Sequence, residues 1–386
     1  MRIAIDAREL GHRPTGVGRY LAELLARWTR SPAAREHELT LYIPALPPYR
    51  DELVGAGGAT VVWRLLPRPS RGAPTPFGPG AAPLGWRNVV WEQHHLARAA
   101  RRDPPDVLFC PAYSAPLAVR VPVVLTLHDI SFVAHPEWFG WREGLRRRLL
   151  ATRSARRARR VITMSRFSAG EIERRLGVPP GQIVTVPLAV DHQLGQDPGL
   201  QERPRTREPI VLYVGSIFKR RNVPVLIRAF SRVAAARSDV RLVVVGEDRS
   251  HPPEHIERCI AESGCAARMT WRPYVLDAEL AALYARASIF VYLSTYEGFG
   301  LTPLEALSAG MPIIVADTAV AREVYGDAAA FVDPHSVDDV ANALGALLDR
   351  GELRAAILDA APRVLQRYRW EATAAATLRV LEEATR

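Results

Sequence analysis

Ser288-Ile289-Phe290-Val291-Tyr292-Leu293, followed after a short link by Glu297-Gly298-Phe299-Gly300-Leu301-Thr302-Pro303-Leu304-Glu305, is the stretch that decides the fold. The first run is apolar and β-rich, and it reads as a buried strand. The second is a Gly-Phe-Gly turn leading into a helix. A strand that ends in a glycine turn and a helix start makes an anion site, because the first backbone N–H groups of a helix have no partners inside it. Carboxylates on either side add acceptors for sugar hydroxyls. The segment suits a ligand that is part phosphate and part polyol. The same residues also read as a capping box, with Thr302 as cap, Pro303 at the first helical position and Glu305 reaching back. On that reading Glu305 is structural. Glu297 lies outside the helix, and it is the ligand group in either case.

Outward from this stretch, short β-branched runs alternate with helical stretches. In the first half the strands are expected at Ile3–Asp6, Leu39–Ile43, Val61–Leu65, Val107–Cys110, Val123–Leu127 and Val161–Thr163. In the second half they are expected at Ile210–Val214, Arg241–Val245, Ser288–Leu293, Ile313–Ala316 and Ala330–Val332. This alternation predicts an α/β protein with parallel sheets covered by helices. The proline-rich break Gln196–Pro209 divides it into two Rossmann-like domains, and ligands are expected in the cleft between them. A second break, Pro67–Gly85, is too long for an ordinary connection and reads either as a lid or as an insertion.

The 386 residues suffice for two domains, and 48% hydrophobic with 24% charged residues is the composition of a globular enzyme. No run reaches the roughly 18 apolar residues of a spanning helix. The opening Met1-Arg2-Ile3-Ala4-Ile5-Asp6 is a strand with a charge and not a secretory signal, so a cytoplasmic location is expected. Cys110, Cys259 and Cys265 fit no C-x-x-C or zinc pattern, and no metal site is expected. Residues 1–190 carry 28 basic and 15 acidic side chains, a net of +13, whereas 191–386 carry 23 and 26, a net of −3. The first half therefore faces something anionic. Its densest cluster lies between Trp138 and Arg160, with arginines from Arg142 onward and Trp138, Trp141, Leu145 and Leu149 at helical spacing. That pattern suits a helix lying on an anionic membrane; it also suits a helix whose apolar stripe packs on the core. The arginines are not interleaved with an aromatic platform, so no nucleic-acid partner is expected.

Each sheet opens on a glycine turn. Ile3–Asp6 leads through Gly16-Val17-Gly18 to a helix near Arg19, which suits a polar ligand at a helix start or a plain tight turn. The third glycine of the dinucleotide fingerprint is missing. Leu212-Tyr213-Val214-Gly215-Ser216 is followed by Lys219-Arg220-Arg221-Asn222, three cations where a diphosphate needs its charge neutralised. Val123–Leu127 runs into His128-Asp129, which either contacts a sugar and its proton or orders its own loop.

Together these pieces resemble the retaining, GT-B-fold glycosyltransferases of family 4 over nearly the full length. The resemblance rests on T-G-V-G-R-Y near the start, L-H-D-I-S-F-V-A-H-P-E-W-F, M-S-R-F-S at Met164–Ser168, Y-V-G-S…K-R-R-N, and E-G-F-G-L-T-P-L-E with its two glutamates eight residues apart. It implies an N-terminal acceptor domain over 1–195, a C-terminal nucleotide-sugar domain over 209–365, and a helix over 366–386 that crosses back at Tyr368-Arg369-Trp370-Glu371. It implies that Glu297 and the backbone of Gly298, Phe299 and Gly300 hold the donor sugar. Leu301 and Thr302 N–H groups would meet the diphosphate, and Glu305 the ribose. Arg221, with Gly215, Ser216, Lys219 and Arg220 around it, would neutralise the leaving group. Gly16, Val17 and Gly18 would line the cleft, and His128 would contact the sugar near the reacting carbon. No cofactor or metal is implied beyond a nucleoside diphosphate sugar, and the acceptor would be lipid-linked or a saccharide.

The pattern is closest to mannosyltransferases of surface polysaccharide assembly. A phosphorylase or sugar-phosphate synthase, or a scaffold that binds a nucleotide sugar without turnover, shares the same implied fold. Four positions depart from the family pattern: Ser216 replaces arginine, the only lysine is displaced to Lys219, Pro273 replaces a glycine near the expected base, and Leu188-Ala189 replaces asparagine-glycine.

Overall fold

The computed structural model describes residues 1–11, 16–67, 84–190 and 207–386. Residues 68–83 of the Pro67–Gly85 segment, 196–206 of the Gln196–Pro209 break, and Thr15 lie outside the described residues. Two compact units make up the chain. One comprises Met1–Pro136, Trp141–Leu188 and Trp370–Arg386, and the other Glu137–Gly140 and Ala189–Arg369.

The first unit holds a wholly parallel seven-stranded sheet. Its strands are β1 (Arg2–Asp6), β2 (Glu38–Ile43), β3 (Thr60–Leu65), β4 (Val107–Cys110), β5 (Val123–Thr126), β6 (Arg160–Thr163) and β7 (Ile183–Thr185). They lie in the order β3-β2-β1-β4-β5-β6-β7. The central strands β4 and β5 are buried throughout, as strands covered on both faces must be. The helix Val17–Trp28 buries Tyr20, Leu21, Leu24, Leu25 and Trp28 at helical spacing. The C-terminal helix Trp370–Glu383 packs against it, and the Trp28 indole donates to the Ala374 carbonyl at 2.9 Å.

The second unit holds a six-stranded parallel sheet. Its strands are β8 (Glu208–Val214), β9 (Arg241–Val245), β10 (Met269–Arg272), β11 (Ala287–Tyr292), β12 (Ile313–Ala316) and β13 (Ala330–Val332), in the order β10-β9-β8-β11-β12-β13. Both units are therefore Rossmann-like α/β domains. In each, the strand order reverses beside the first strand, between β1 and β4 and again between β8 and β11. The loops leaving the carboxyl ends of those two strands diverge there, and the crevice they leave is where such sheets bind ligands.

Two strands escaped the sequence reading, β7 and β10. Both are sheet edges with a single partner; β10 mixes polar with apolar side chains, and β7 is only three residues long.

The helix Trp141–Arg157 departs from the core-packed reading of its apolar stripe. Trp141 is 72%, Leu145 43% and Leu149 44% exposed, while Gly144, Ala151, Ser154 and Ala155 are buried. Small residues therefore make its core face, and the large apolar stripe points outward. Trp138 is not part of that stripe. It sits in the short turn Pro136–Trp138, and its ring meets Tyr296 of the second unit's own loop at 6.3 Å.

Candidate active site

In the second unit, the loops leaving β8 and β11 are laced together by backbone. The Thr295 N–H donates to the Arg220 carbonyl at 2.8 Å, and the Asn222 amide donates to the Leu293 carbonyl at 2.9 Å. Lys219–Arg221 form one 3-10 turn, and Asn222, at φ 50°, starts the helix Val223–Ala236. The turn sorts the three cations. Lys219 is exposed, whereas the side chains of Arg220 and Arg221 are 10% and 13% exposed. The two arginines are therefore not a solvated charge run.

Arg220 and Arg221 share a counter-charge, Glu297. Its Oε1 lies 3.3 Å from the Arg221 Nε and 3.7 Å from the Arg220 Nε, and it accepts from the hydroxyls of Tyr292 at 2.9 Å and Ser294 at 2.8 Å. Burial alone would raise the Glu297 carboxyl, but Arg221 and Arg220, with those hydroxyls, hold it below its usual value. Burial likewise opposes the Arg221 charge and is outweighed by Tyr292, Glu297 and Tyr213, so Arg221 stays a cation. Glu297 is thus structural as well as a candidate ligand, which the sequence did not reveal.

Arg221 also donates from Nη1 to the Ser216 carbonyl at 2.5 Å, and its guanidinium lies 5.1 Å from the Tyr292 ring. Ser216 therefore contributes backbone, and its side chain does not replace the expected arginine. Gly215, at φ 141°, is required here. A Cβ on it would come within 2.6 Å of the Arg221 guanidinium.

Downstream, the helix Leu301–Ser308 is capped by Gly300 at φ 89° with no side-chain cap. The expected capping box does not form. The helix begins one residue before Thr302, so Thr302 and Pro303 lie within its first turn. The Thr302 hydroxyl is buried with no hydrogen-bond partner. Glu305 is buried, with the Tyr284 hydroxyl 3.3 Å from its Oε2. Gly300 is held by the Tyr325 hydroxyl, which donates to its carbonyl at 2.7 Å. Phe299 packs edge-on against Tyr368 at 5.0 Å. The helix ends where expected: Gly310, at φ 74°, and Met311 donate back to Leu307 and Ala306, each at 2.9 Å. Tyr292, Ser294, Glu297, Phe299, Thr318 and Tyr325 line a cavity beneath this turn, with room for about one water-sized group.

In the first unit, Gly16 caps the helix Val17–Trp28 at φ 54° and is exposed, Val17 is half-buried and Gly18 is buried. His128 follows β5, and its Nε2 lies 3.0 Å from the Pro111 carbonyl. A carbonyl only accepts, so Nε2 carries the proton and Nδ1 is left as an acceptor. Burial lowers its pKa against the Pro111 bond and Asp129, which keeps the imidazole neutral at pH 7. Asp129 accepts from the Ser131 N–H at 2.8 Å and orders the loop by itself. Among the described residues the structure thus gathers Arg221, Arg220, Glu297, Gly215 and Ser216 into one cluster in the second unit. His128 and Gly16–Gly18 belong to the first unit. Sequence reasoning missed Tyr292, Ser294, Tyr213 and Tyr325. Hydroxyls on an apolar strand were the available signal for Tyr213 and Tyr292.

Comparison with known proteins agrees with this architecture. Residues 14–194 match the family described as Glycosyltransferase Family 4, and residues 200–364 match Glycosyl transferases group 1. The chain is 33% identical over 278 residues to the MMP alpha-(1->4)-mannosyltransferase of Mycolicibacterium hassiacum, spanning 70% of this chain and 66% of that one. It is 27% identical over 354 residues to the O-antigen chain mannosyltransferase B of Escherichia coli, spanning 88% of each. Anabaena HepE, solved in complex with UDP and glucose, shares the fold with a TM-score of 0.72 at 18% identity, covering 99% of this chain and 100% of that one. With a family match on each half and two Rossmann-like sheets built in the same order, the chain belongs to the GT-B-fold glycosyltransferases of family 4.

Proposed function

We propose that the protein is a retaining glycosyltransferase that moves a hexose, mannose in our reading, from a nucleoside diphosphate sugar to a lipid-linked or oligosaccharide acceptor in surface polysaccharide or glycolipid assembly. The observation that carries this reading is the buried Arg221–Glu297 pair at the switch point of the second sheet, beside a helix start whose Thr302 hydroxyl is unpartnered. Arg221 uses Nε on Glu297 and one Nη1 proton on Ser216 and also bonds the Tyr213 hydroxyl, which leaves its other N–H donors for a diphosphate oxygen. Lys219, exposed on the same turn, adds charge. The Arg221 Nε and the Tyr292 and Ser294 hydroxyls all donate to Oε1, which the Arg220 Nε also faces at 3.7 Å, so Oε2 serves the sugar.

Transfer breaks the bond from the sugar's anomeric carbon to the diphosphate oxygen and forms one from the acceptor oxygen on the same face. The acceptor proton passes to the departing phosphate oxygen, so the step needs leaving-group stabilisation and positioning more than a protein base. Arg221, Lys219 and the helix N-terminus supply that positive charge, and the proposal includes no metal. The mannosyltransferase relatives, one aligned over 88% of its length, support mannose and polysaccharide assembly. The outward Trp141-Leu145-Leu149 stripe, with Arg142, Arg147 and Arg153 exposed beside it, supports contact with an anionic membrane from the cytoplasmic side.

A thermal-shift screen against GDP-, UDP-, ADP- and dTDP-sugars tests the donor half. A ligand at a hundredfold its Kd adds about 2.7 kcal/mol, so the true donor raises Tm visibly. Transfer of the same sugar to a membrane extract, with the anomeric configuration kept, completes the test. Turnover that requires free sugar phosphate instead would make the protein a phosphorylase or sugar-phosphate synthase, and no shift with any nucleotide sugar would sink the reading.

A further inference from the structure

Tyr292 is the last residue of β11 and is 4% exposed. The three residues before it, Ile289, Phe290 and Val291, are apolar and buried, and a phenylalanine would complete the run. A buried phenol costs free energy unless its hydroxyl is bonded, so the partner of that hydroxyl decides what the residue is for. The partner is Oε1 of Glu297, at 2.9 Å.

Oε1 also accepts from the Ser294 hydroxyl at 2.8 Å and from the Arg221 Nε at 3.3 Å. A carboxylate left to itself turns between two equivalent states about its last torsion. Three donors on one oxygen remove that equivalence and keep Oε1 and Oε2 from exchanging places. The donors differ in stiffness. The Ser294 hydroxyl swings about a single bond and lies 3.3 Å from a second acceptor, the Tyr296 carbonyl. Arg221 reaches in on a long chain. The Tyr292 hydroxyl is fixed by its ring, and the ring is fixed in turn. Tyr213 stacks on it at 6.1 Å and 17°, Phe290 at 6.4 Å and 21°, and its backbone pairs with Val315 of β12.

The same ring serves the cation. The Arg221 guanidinium lies 5.1 Å from the Tyr292 ring and 5.4 Å from Phe218, within reach of a cation–π attraction to each. The stacked Tyr213 accepts from Arg221, and its hydroxyl donates to the Ser216 carbonyl at 3.3 Å. Tyr292 therefore touches both members of the buried pair, the carboxylate through its hydroxyl and the cation through its ring.

We propose that Tyr292 is a positioning residue for sugar transfer: its hydroxyl commits Oε1 of Glu297 and thereby aims Oε2 at the donor sugar, while its ring beds the Arg221 guanidinium. The inference rests on the transferase reading above, which gives Glu297 the sugar and Arg221 the leaving group. The ionisable groups that act on Glu297 are Arg220 and Arg221 after β8, Tyr213 on β8, Tyr292 on β11 and Tyr325 from the helix Ala319–Tyr325. The hydroxyl of Tyr292 favours the ionised carboxylate, so its removal moves the Glu297 titration to higher pH.

The test is steady-state transfer by the full chain to the membrane extract, with GDP-mannose, UDP-glucose, ADP-glucose and dTDP-glucose each tried as donor. Tyr292→Phe keeps the stack and the cation's bed. Its kcat should fall about tenfold or more with KM for the donor within about twofold, and the acid limb of its kcat–pH profile should move to higher pH. Tyr292→Leu removes the ring as well and should also raise KM about threefold or more. Ser294→Ala, which leaves the stiff donor in place, should lose less kcat than Tyr292→Phe. An unchanged kcat or an unmoved acid limb in Tyr292→Phe would overturn the positioning role. A tenfold loss of kcat in Ser294→Ala would overturn it too, even if Tyr292→Phe failed to fold. A wild type that turns over none of the four donors would instead defeat the transferase reading, and the role of Tyr292 with it.

Discussion

The Nε of Arg221 stands 3.3 Å from Oε1 of Glu297, so the cation after β8 and the carboxylate after β11 are each other's buried counter-charge. Breaking such a pair strands a charge in the interior. Glu297→Ala should therefore lower unfolding stability in urea by about 3–5 kcal/mol as well as abolish transfer. Loss of transfer with no change in stability would mean that Glu297 acts on the ligand alone.

Thr302 offers the opposite sign. Its hydroxyl is buried and unpartnered, a penalty of about 1–3 kcal/mol that an isosteric methyl would relieve. Thr302→Val should leave the ligand-free protein as stable or more stable, and should weaken nucleotide-sugar binding in the thermal-shift assay. If donor binding is unchanged, the hydroxyl does not wait for a ligand.

Gly300 combines φ 89° with a Tyr325 hydroxyl where its Cβ would stand. Gly300→Ala should cost at least about 1–3 kcal/mol from the backbone alone. Adding Tyr325→Phe removes the clash but not the strain, so the double variant should recover part of the lost Tm. Full recovery would show that the backbone there is unstrained.

Asp6 gives a pH dependence. Burial, set against Arg8 and reinforced by Glu92, pushes its carboxyl up to about 7 from 3.8. A folded pKa above the unfolded one means that the folded state holds the extra proton. This contribution to stability is complete below pH 3.8 and is lost as pH rises through about 7. Asp6→Asn mimics the protonated form, so its Tm should fall less than the wild type's between pH 5 and 8. Parallel Tm curves would place the ionised carboxylate in the fold at all these pH values.

The stripe on Trp141–Arg157 should carry membrane binding. Leu145→Ser with Leu149→Ser should weaken flotation with anionic liposomes about tenfold at a small cost in Tm, because the two side chains are 43% and 44% exposed. Binding that ignores both changes would leave the arginines acting alone or the membrane contact absent.

The parallel strands of both sheets were legible because strands buried on both faces must be apolar. Ile313–Ala316 and Val107–Cys110 were found to the residue. The Gly310 stop was legible for a similar reason, since only certain residues accept its backbone. What stayed hidden was the set of pairings fixed by sheet order. Arg221 and Glu297 are 76 residues apart, and nothing local says that β8 lies beside β11. Thr302 was misread because its neighbours satisfy a capping pattern that Gly300 pre-empts.

The turn Lys219–Arg221 folds its two arginines inward and leaves Lys219 exposed, and no other lysine occurs in the 386 residues. An amine-reactive fluorophore therefore has one ε-amino target beside the α-amino group, and that target lies on the turn assigned to the leaving group. Acylation of Lys219 becomes an optical report of occupancy: a bound nucleotide should shield it from the reagent, without any engineered attachment point.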